Sequence, residues 1–257
     1  MVQSSGERRF KETKLPQPQV ILPEVLTQTI VFNYKKEELD HNTISALFEQ
    51  INCIFGYQYN QIFYNIAFRK LLQSKIADNV DFLNQYKLLI QSTIVPYIYS
   101  QISSEDRASL TVNDEGQKVF KVLYQYPPTI RIQPSHTNEF KRPHRDIEYG
   151  HQPGEINFWM PLTDCSQPDS PTIELERQQT DTGDHESYDR VPLKVGEILR
   201  FHGSLLHHRI PKNNSNRTRI SMDFRVAPAL CWDKSWTLKG KPMKIQHGWE
   251  EFKFIID

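Results

Sequence analysis

Two short stretches hold the residues whose types and spacing suit chemistry. In His144-Arg145-Asp146 an imidazole and a carboxylate stand two apart. On an extended strand both leave the same face and can reach one divalent ion. With nine His in the chain, such a pair arises by chance often enough to need company. The company lies further on, between Gly196 and Val226. There an apolar strand (Ile198 to Phe201) runs into a Gly-Ser turn, then His207 and His208. A Pro/Asn/Ser loop follows, then a strand with Arg219 and Ser221 on one face. Two His and one carboxylate leave one side of a metal open. An Arg with a Ser two residues on suits the far carboxylate of a 2-oxoacid, through a bidentate pair and a hydroxyl bond.

These residues, with the strand GEINFWMPL, the phrase FHGSLLH before a Pro-Asn loop, and RTRISMDFRV, resemble the Fe(II)/2-oxoglutarate-dependent dioxygenases. The likeness is to the phytanoyl-CoA-hydroxylase-like branch with the streptomycin- and kanamycin-pathway hydroxylases, and it spans roughly residues 120 to 228. It implies a double-stranded β-helix, with Fe(II), 2-oxoglutarate and O2 as metal and co-substrates. It also implies hydroxylation of a small, secondary-metabolite-type substrate with release of succinate and CO2. Asp146 argues against halogenation, since halogenases of this group carry a small residue there. The family's Leu-Leu-His phrase selects His207 as third ligand beside His144 and Asp146. Spacing back from Arg219 selects His208 instead, and His207 is preferred because loops absorb insertions easily. His202 reads as a strand-end histidine. Arg219 is assigned to the C5 carboxylate of 2-oxoglutarate with Ser221 assisting, and Arg217 is the alternative. Asn157 and Trp159 share the face that lines cofactor or substrate in the family, and Arg131 is expected to face the same cavity.

The elements that must position these residues follow from periodicity. From Asn42 to Ser103 the pattern is helical: Ile44, Leu47, Phe48 and Ile51 make one apolar face, and Phe63, Ile66, Ala67 and Leu71 another. Asp78 or Asp81 would cap a further helix that Pro96 ends or kinks. After the polar turn region TVNDEGQKV the period drops to two. Strands are expected at Phe120 to Tyr126, Thr129 to Gln133, Glu155 to Leu162, Thr172 to Leu175, Glu197 to Phe201 and Thr218 to Val226. The fold class is α+β with a mainly β core, a jelly roll with N-terminal helices packed on one sheet.

Residues 1–22 read as a charged, Pro-containing arm, and 23–257 as a single oxygenase domain. Its helical part covers about 42–103, its β core about 118–228, and an aromatic extension 229–257. That extension carries Trp232, Trp236, Trp249 and Phe252, so it should dock on the domain or join a homodimer. Between Asp164 and Arg190, eight acids face two arginines. This is a solvated loop, or a lid that prefers a cationic substrate. Lys plus Arg (31) equals Asp plus Glu (31), which argues against nucleic acid or a membrane surface as partner. Three cysteines without C-x-x-C spacing and no long apolar segment point to a soluble cytoplasmic protein. The rival functions are a non-catalytic metal-binding sandwich and a zinc hydrolase. The first has no use for Arg219 and Ser221, and the second needs a general base that the sequence does not nominate.

Overall fold

The computed structural model describes residues 35–38, 74–137, 141–177, 188–238, 241–242 and 248–256, with the backbone alone at 35–38, 141, 237–238 and 241–242. The arm over 1–22, the helix faces of 44–51 and 63–71, Cys53 and residues 178–187 of the acidic loop lie outside the described residues.

Helix α1 (Val80–Leu89) starts at Asn79, whose extended backbone and side-chain oxygen cap it by accepting from the Phe82 amide at 2.7 Å. This corrects the expected cap: Asp78 precedes it, and Asp81 lies in the first turn, where its charge suits the helix dipole. The helix widens into one π turn, Ile90–Ile94, and resumes as α2 (Val95–Gln101) with Pro96 in its first turn. Pro96 has no N–H and its ring crowds the preceding turn, so the wider loop accommodates it. Ser103 then caps α3 (Ser104–Leu110) by accepting from the Asp106 amide at 3.1 Å.

Strands follow. β1 (Lys35–Glu38) precedes the helices. β2 (Thr111–Asp114) and β3 (Gln117–Tyr126) form a hairpin through Glu115 and Gly116, both with positive φ. The stretch read as a turn region is therefore largely strand, with only its centre turning. Next come β4 (Thr129–Gln133), β5 (Lys141–His144), β6 (Ile156–Pro161), β7 (Glu174–Glu176) and β8 (Tyr188–Arg190). β9 (Glu197–Phe201), β10 (His208–Ile210) and β11 (Arg219–Pro228) complete the core, and β12 (Thr237–Leu238), β13 (Lys241–Pro242) and β14 (Gly248–Ile255) follow.

Among the described residues the strands form two main antiparallel sheets and a two-stranded pair, β12-β13. The larger runs β1-β9-β6-β11-β3-β14, with β4 beside β11 and β2 beside β3; the smaller runs β5-β10-β7-β8. One face of the large sheet (Phe158, Met160, Met222, Phe224) packs against Phe82, Tyr86 and Leu89 of α1. The opposite face (Trp159, Leu199, Phe201) meets Ile173, Leu175, Val191 and Ile210 from the smaller sheet and its flanks. Each large side chain buried in these layers contributes roughly 1.5–3 kcal/mol. The chain is thus a mainly β jelly roll with helices on one sheet.

The C-terminal segment belongs to this fold. β14 pairs with β3 along its whole length, Trp232 and Trp249 meet at 4.4 Å between ring centroids, and Trp236 Nε1 donates to the Gly150 carbonyl at 2.9 Å. Half of the acidic insertion is also built in: Cys165, Thr172 and Ile173 are buried, and Arg190 donates to the carbonyls of Cys165, Gln167 and Ser170. Among the described residues no helix is long and apolar enough to cross a membrane.

Candidate metal centre and its carboxylate neighbourhood

In the smaller sheet β5 and β10 run antiparallel, with His144 directly opposite His208. Asp146 opens a short 3-10 turn (Asp146–Tyr149) just after β5, closed by left-handed Gly150. One ligand atom from each of His144, Asp146 and His208 lies within 4.8 Å of the others. Asp146 Oδ1 is 3.8 Å from His144 Nε2 and 3.5 Å from His208 Nε2.

The orientation of each donor is fixed from behind. His144 Nδ1 donates to the Arg142 carbonyl at 2.8 Å, and His208 Nδ1 to the Leu206 carbonyl at 3.1 Å. Carbonyls only accept, so the proton sits on Nδ1 and each Nε2 keeps its lone pair for a metal. Burial also lowers the His144 pKa, favouring the neutral ring a metal needs. Asp146 Oδ2 accepts from Asn157 Nδ2 at 2.6 Å and from Arg225 Nε and Nη2 at 3.1 and 2.8 Å. Burial would raise the Asp146 carboxyl, but the Arg225 charge beside it holds it well below the usual carboxylate range.

A closed ring of hydrogen bonds ties the 3-10 turn, strand β6 and the turn after β9 together here. The Asp146 amide donates to the Gly203 carbonyl at 2.7 Å, the Gly203 amide to Asn157 Oδ1 at 3.1 Å, and Asn157 back to Asp146. A Cβ at Gly203 would fall 2.5 Å from the Asn157 amide nitrogen, so the ring requires glycine there.

The preferred third ligand is corrected. His207 precedes β10 and turns away, its Nδ1 at 2.8 Å from Glu176 Oε2 and its amide donating to the same oxygen. Adjacent residues at the start of a strand face opposite sides, so only one of the two can join His144. His202 is buried at the end of β9, against the Pro153 carbonyl.

Beside the three donors lies a cavity of about 490 Å³, lined by Arg131, Asn157, Trp159, Phe201 and Asp223 among others. Arg131 faces it, but is already paired to Asp223 through Nε and Nη2, which raises its pKa. Arg219 and Ser221 do not line the cavity; they continue the same face of β11 beyond Asp223. Both are buried, and Arg219 Nε and Nη1 and Ser221 Oγ have no hydrogen-bond partner among the described residues. Burial pushes the Arg219 guanidinium down to about 10. Arg217 is at the surface, 3.5 Å from Asp169.

The sequence reading gave no role to Arg225 or to half-buried His151 and buried Glu155, whose Nδ1 and Oε2 lie 2.7 Å apart; Glu155 is in turn 3.8 Å from Arg225. For Arg225 the signal was present: it stands on the inward row Arg219, Ser221, Asp223, Arg225.

The chain has similar proteins in sequence and in fold. The streptomycin biosynthesis protein StrG of Streptomyces griseus is 29% identical over 138 residues, covering 52% of this chain and 63% of that protein. The match thus spans less than two thirds of that relative. The apo structure of the non-haem monooxygenase ThoJ superposes with a TM-score of 0.50 at 16% identity, over 79% of this chain and 75% of that one. No protein-family model matches the chain. In sequence the chain is thus similar to a streptomycin biosynthesis protein, and in fold to a non-haem monooxygenase.

Proposed function

We propose that this chain is an Fe(II)- and 2-oxoglutarate-dependent oxygenase that hydroxylates a small molecule. The observation that carries the reading is the three-donor cluster, taken together with unpartnered polar groups further along the strand that borders its cavity. Three donors converge with their lone pairs free, while further along β11 two nitrogens of the buried Arg219 guanidinium and the Ser221 hydroxyl have no hydrogen-bond partner among the described residues. A metal answers the first need and a carboxylate the second; a 2-oxoacid is the ligand that serves both.

When bound, Fe(II) with 2-oxoglutarate and O2 supplies oxidative decarboxylation, giving succinate and CO2 and oxidising a substrate C–H bond. The chain's own part is to hold and enclose. His144, His208 and Asp146 would hold the ion, and Arg219 with Ser221 would receive the far carboxylate. Trp159 and Phe201 give the cavity an apolar wall that limits water. Its volume suits a small molecule rather than a polymer, in keeping with the biosynthetic name of the relative. Of the eight acids behind the preference for a cationic substrate, Asp181, Asp184 and Glu186 lie in residues 178–187, outside the described residues. The described lining carries Arg131, Arg142, Arg209 and Arg225 against Asp146 and Asp223, which gives that preference no support.

The test is the visible charge-transfer band that forms when Fe(II) and 2-oxoglutarate are added anaerobically to metal-free protein. The wild type and His207→Ala should both form it, whereas His144→Ala and His208→Ala should not. Tight metal binding with no band in the wild type would overturn the oxygenase reading and leave a metal-binding sandwich without turnover.

A further inference from the structure

Asp146 has two oxygens, and they are treated differently. Oδ1 faces His144 and His208. Oδ2 accepts three N–H bonds, one from Asn157 on β6 and two from Arg225 on β11. Arg225 is itself held: its Nη1 donates to Gln125 Oε1 at 3.1 Å, and Gln125 Nε2 donates to Thr129 Oγ1 at 2.9 Å and the Pro127 carbonyl at 3.3 Å. Arg225 and Asp146 are both almost wholly buried, so the carboxylate cannot turn its second oxygen to water. An unrestrained carboxylate can offer a metal either one oxygen or both.

We propose that Arg225, assisted by Asn157, is a positioning residue that restricts Asp146 to a single-oxygen ligand. By occupying Oδ2 it leaves only Oδ1 for the ion, so the protein supplies three donor atoms and the rest of the coordination sphere stays available. The guanidinium suits this task because its planar fork places two N–H groups on one oxygen, which a lysine ammonium cannot reproduce. The inference rests on the metal site proposed above, but not on 2-oxoglutarate or turnover.

The experiment uses Co(II) as probe on the full chain, with no co-substrate present. Titration gives the dissociation constant, and the ligand-field absorption reports the coordination number. Arg225→Gln should weaken Co(II) by about 10- to 100-fold and alter the absorption, and Arg225→Lys should restore only part of each. Asn157→Ala removes one of the three bonds and should weaken Co(II) by a smaller factor, with the same spectral trend. A merely structural role would lower the melting temperature of these variants while leaving the spectrum and affinity of the folded protein unchanged, and that result would overturn the proposal. If Arg225→Gln does not fold, Asn157→Ala decides alone: an unchanged spectrum and affinity sinks the idea. A wild type that does not bind Co(II) removes the metal site and the clamp together. Variants that disturb Co(II), in a protein indifferent to added 2-oxoglutarate, would overturn the oxygenase reading and leave the clamp standing.

Discussion

Arg219 and Arg225 occupy the same inward face of one strand, six residues apart, and live in opposite circumstances. Arg225 lies against Asp146, with Glu155 at 3.8 Å and Asp223 at 4.0 Å, and these charges outweigh burial and raise its pKa. Arg219 is as deeply buried, yet two of its nitrogens lack partners, and its neighbour Cys165 is a thiol pushed up by burial to about 11. A neutral thiol supplies no countercharge, and the Asp223 carboxylate, which does act on Arg219, is already paired with Arg131. A buried charge that is paired belongs to the fold, whereas a buried charge without a partner weakens the fold unless a ligand completes it. The same residue type is therefore fully engaged at one end of β11 and short of partners at the other.

Three substitutions can break or sharpen that contrast. Arg225→Met strands Asp146 and should destabilise the metal-free protein by about 3–5 kcal/mol, measured by urea unfolding. A loss below about 1 kcal/mol would show that the pair is not integral to the fold. Arg219→Met removes a charge without stranding a partner, so unfolding should show no loss of stability, or a gain. The same variant should bind 2-oxoglutarate less tightly by about 1.5–3 kcal/mol, the value of a charge-assisted bond, seen by calorimetric titration of the metal-loaded protein. If Arg219→Met instead unfolds as readily as Arg225→Met, the two arginines are alike and the contrast fails. Ser221→Ala should follow Arg219→Met in kind but at about 1 kcal/mol in co-substrate binding, with stability unaffected.

Much of the β core was legible because alternation is a local property. β4 and β9 occur at the expected bounds, and the inward row of β11 follows from period two alone. What escaped were facts that depend on where a strand begins or on what faces it. His207 and His208 differ by one residue, and only the start of β10 and its pairing with His144 decide between them. Arg225 was visible on the correct face, but Asp146 is 79 residues away in sequence, and nothing local joins them. Asn157 was expected to line the cofactor cavity, and it does border the cavity, yet both ends of its amide are committed to Asp146 and Gly203. The helix cap escaped for a smaller reason: Asp78, Asn79 and Asp81 are all competent caps, and backbone geometry chooses among them.

The pairing of His144 with His208 has a thermodynamic side. β5 lies at the edge of the smaller sheet, and its register with β10 is irregular between His208 and Ile210. An ion gripped by both imidazoles would act as a cross-link over that edge, joining two strands that few backbone bonds unite. Loading the site and seating the strand then become one equilibrium, in which each raises the probability of the other. On that view the supply of metal would set how much of this protein has a closed sheet edge, and removing the ion would loosen the strand as well as empty the site.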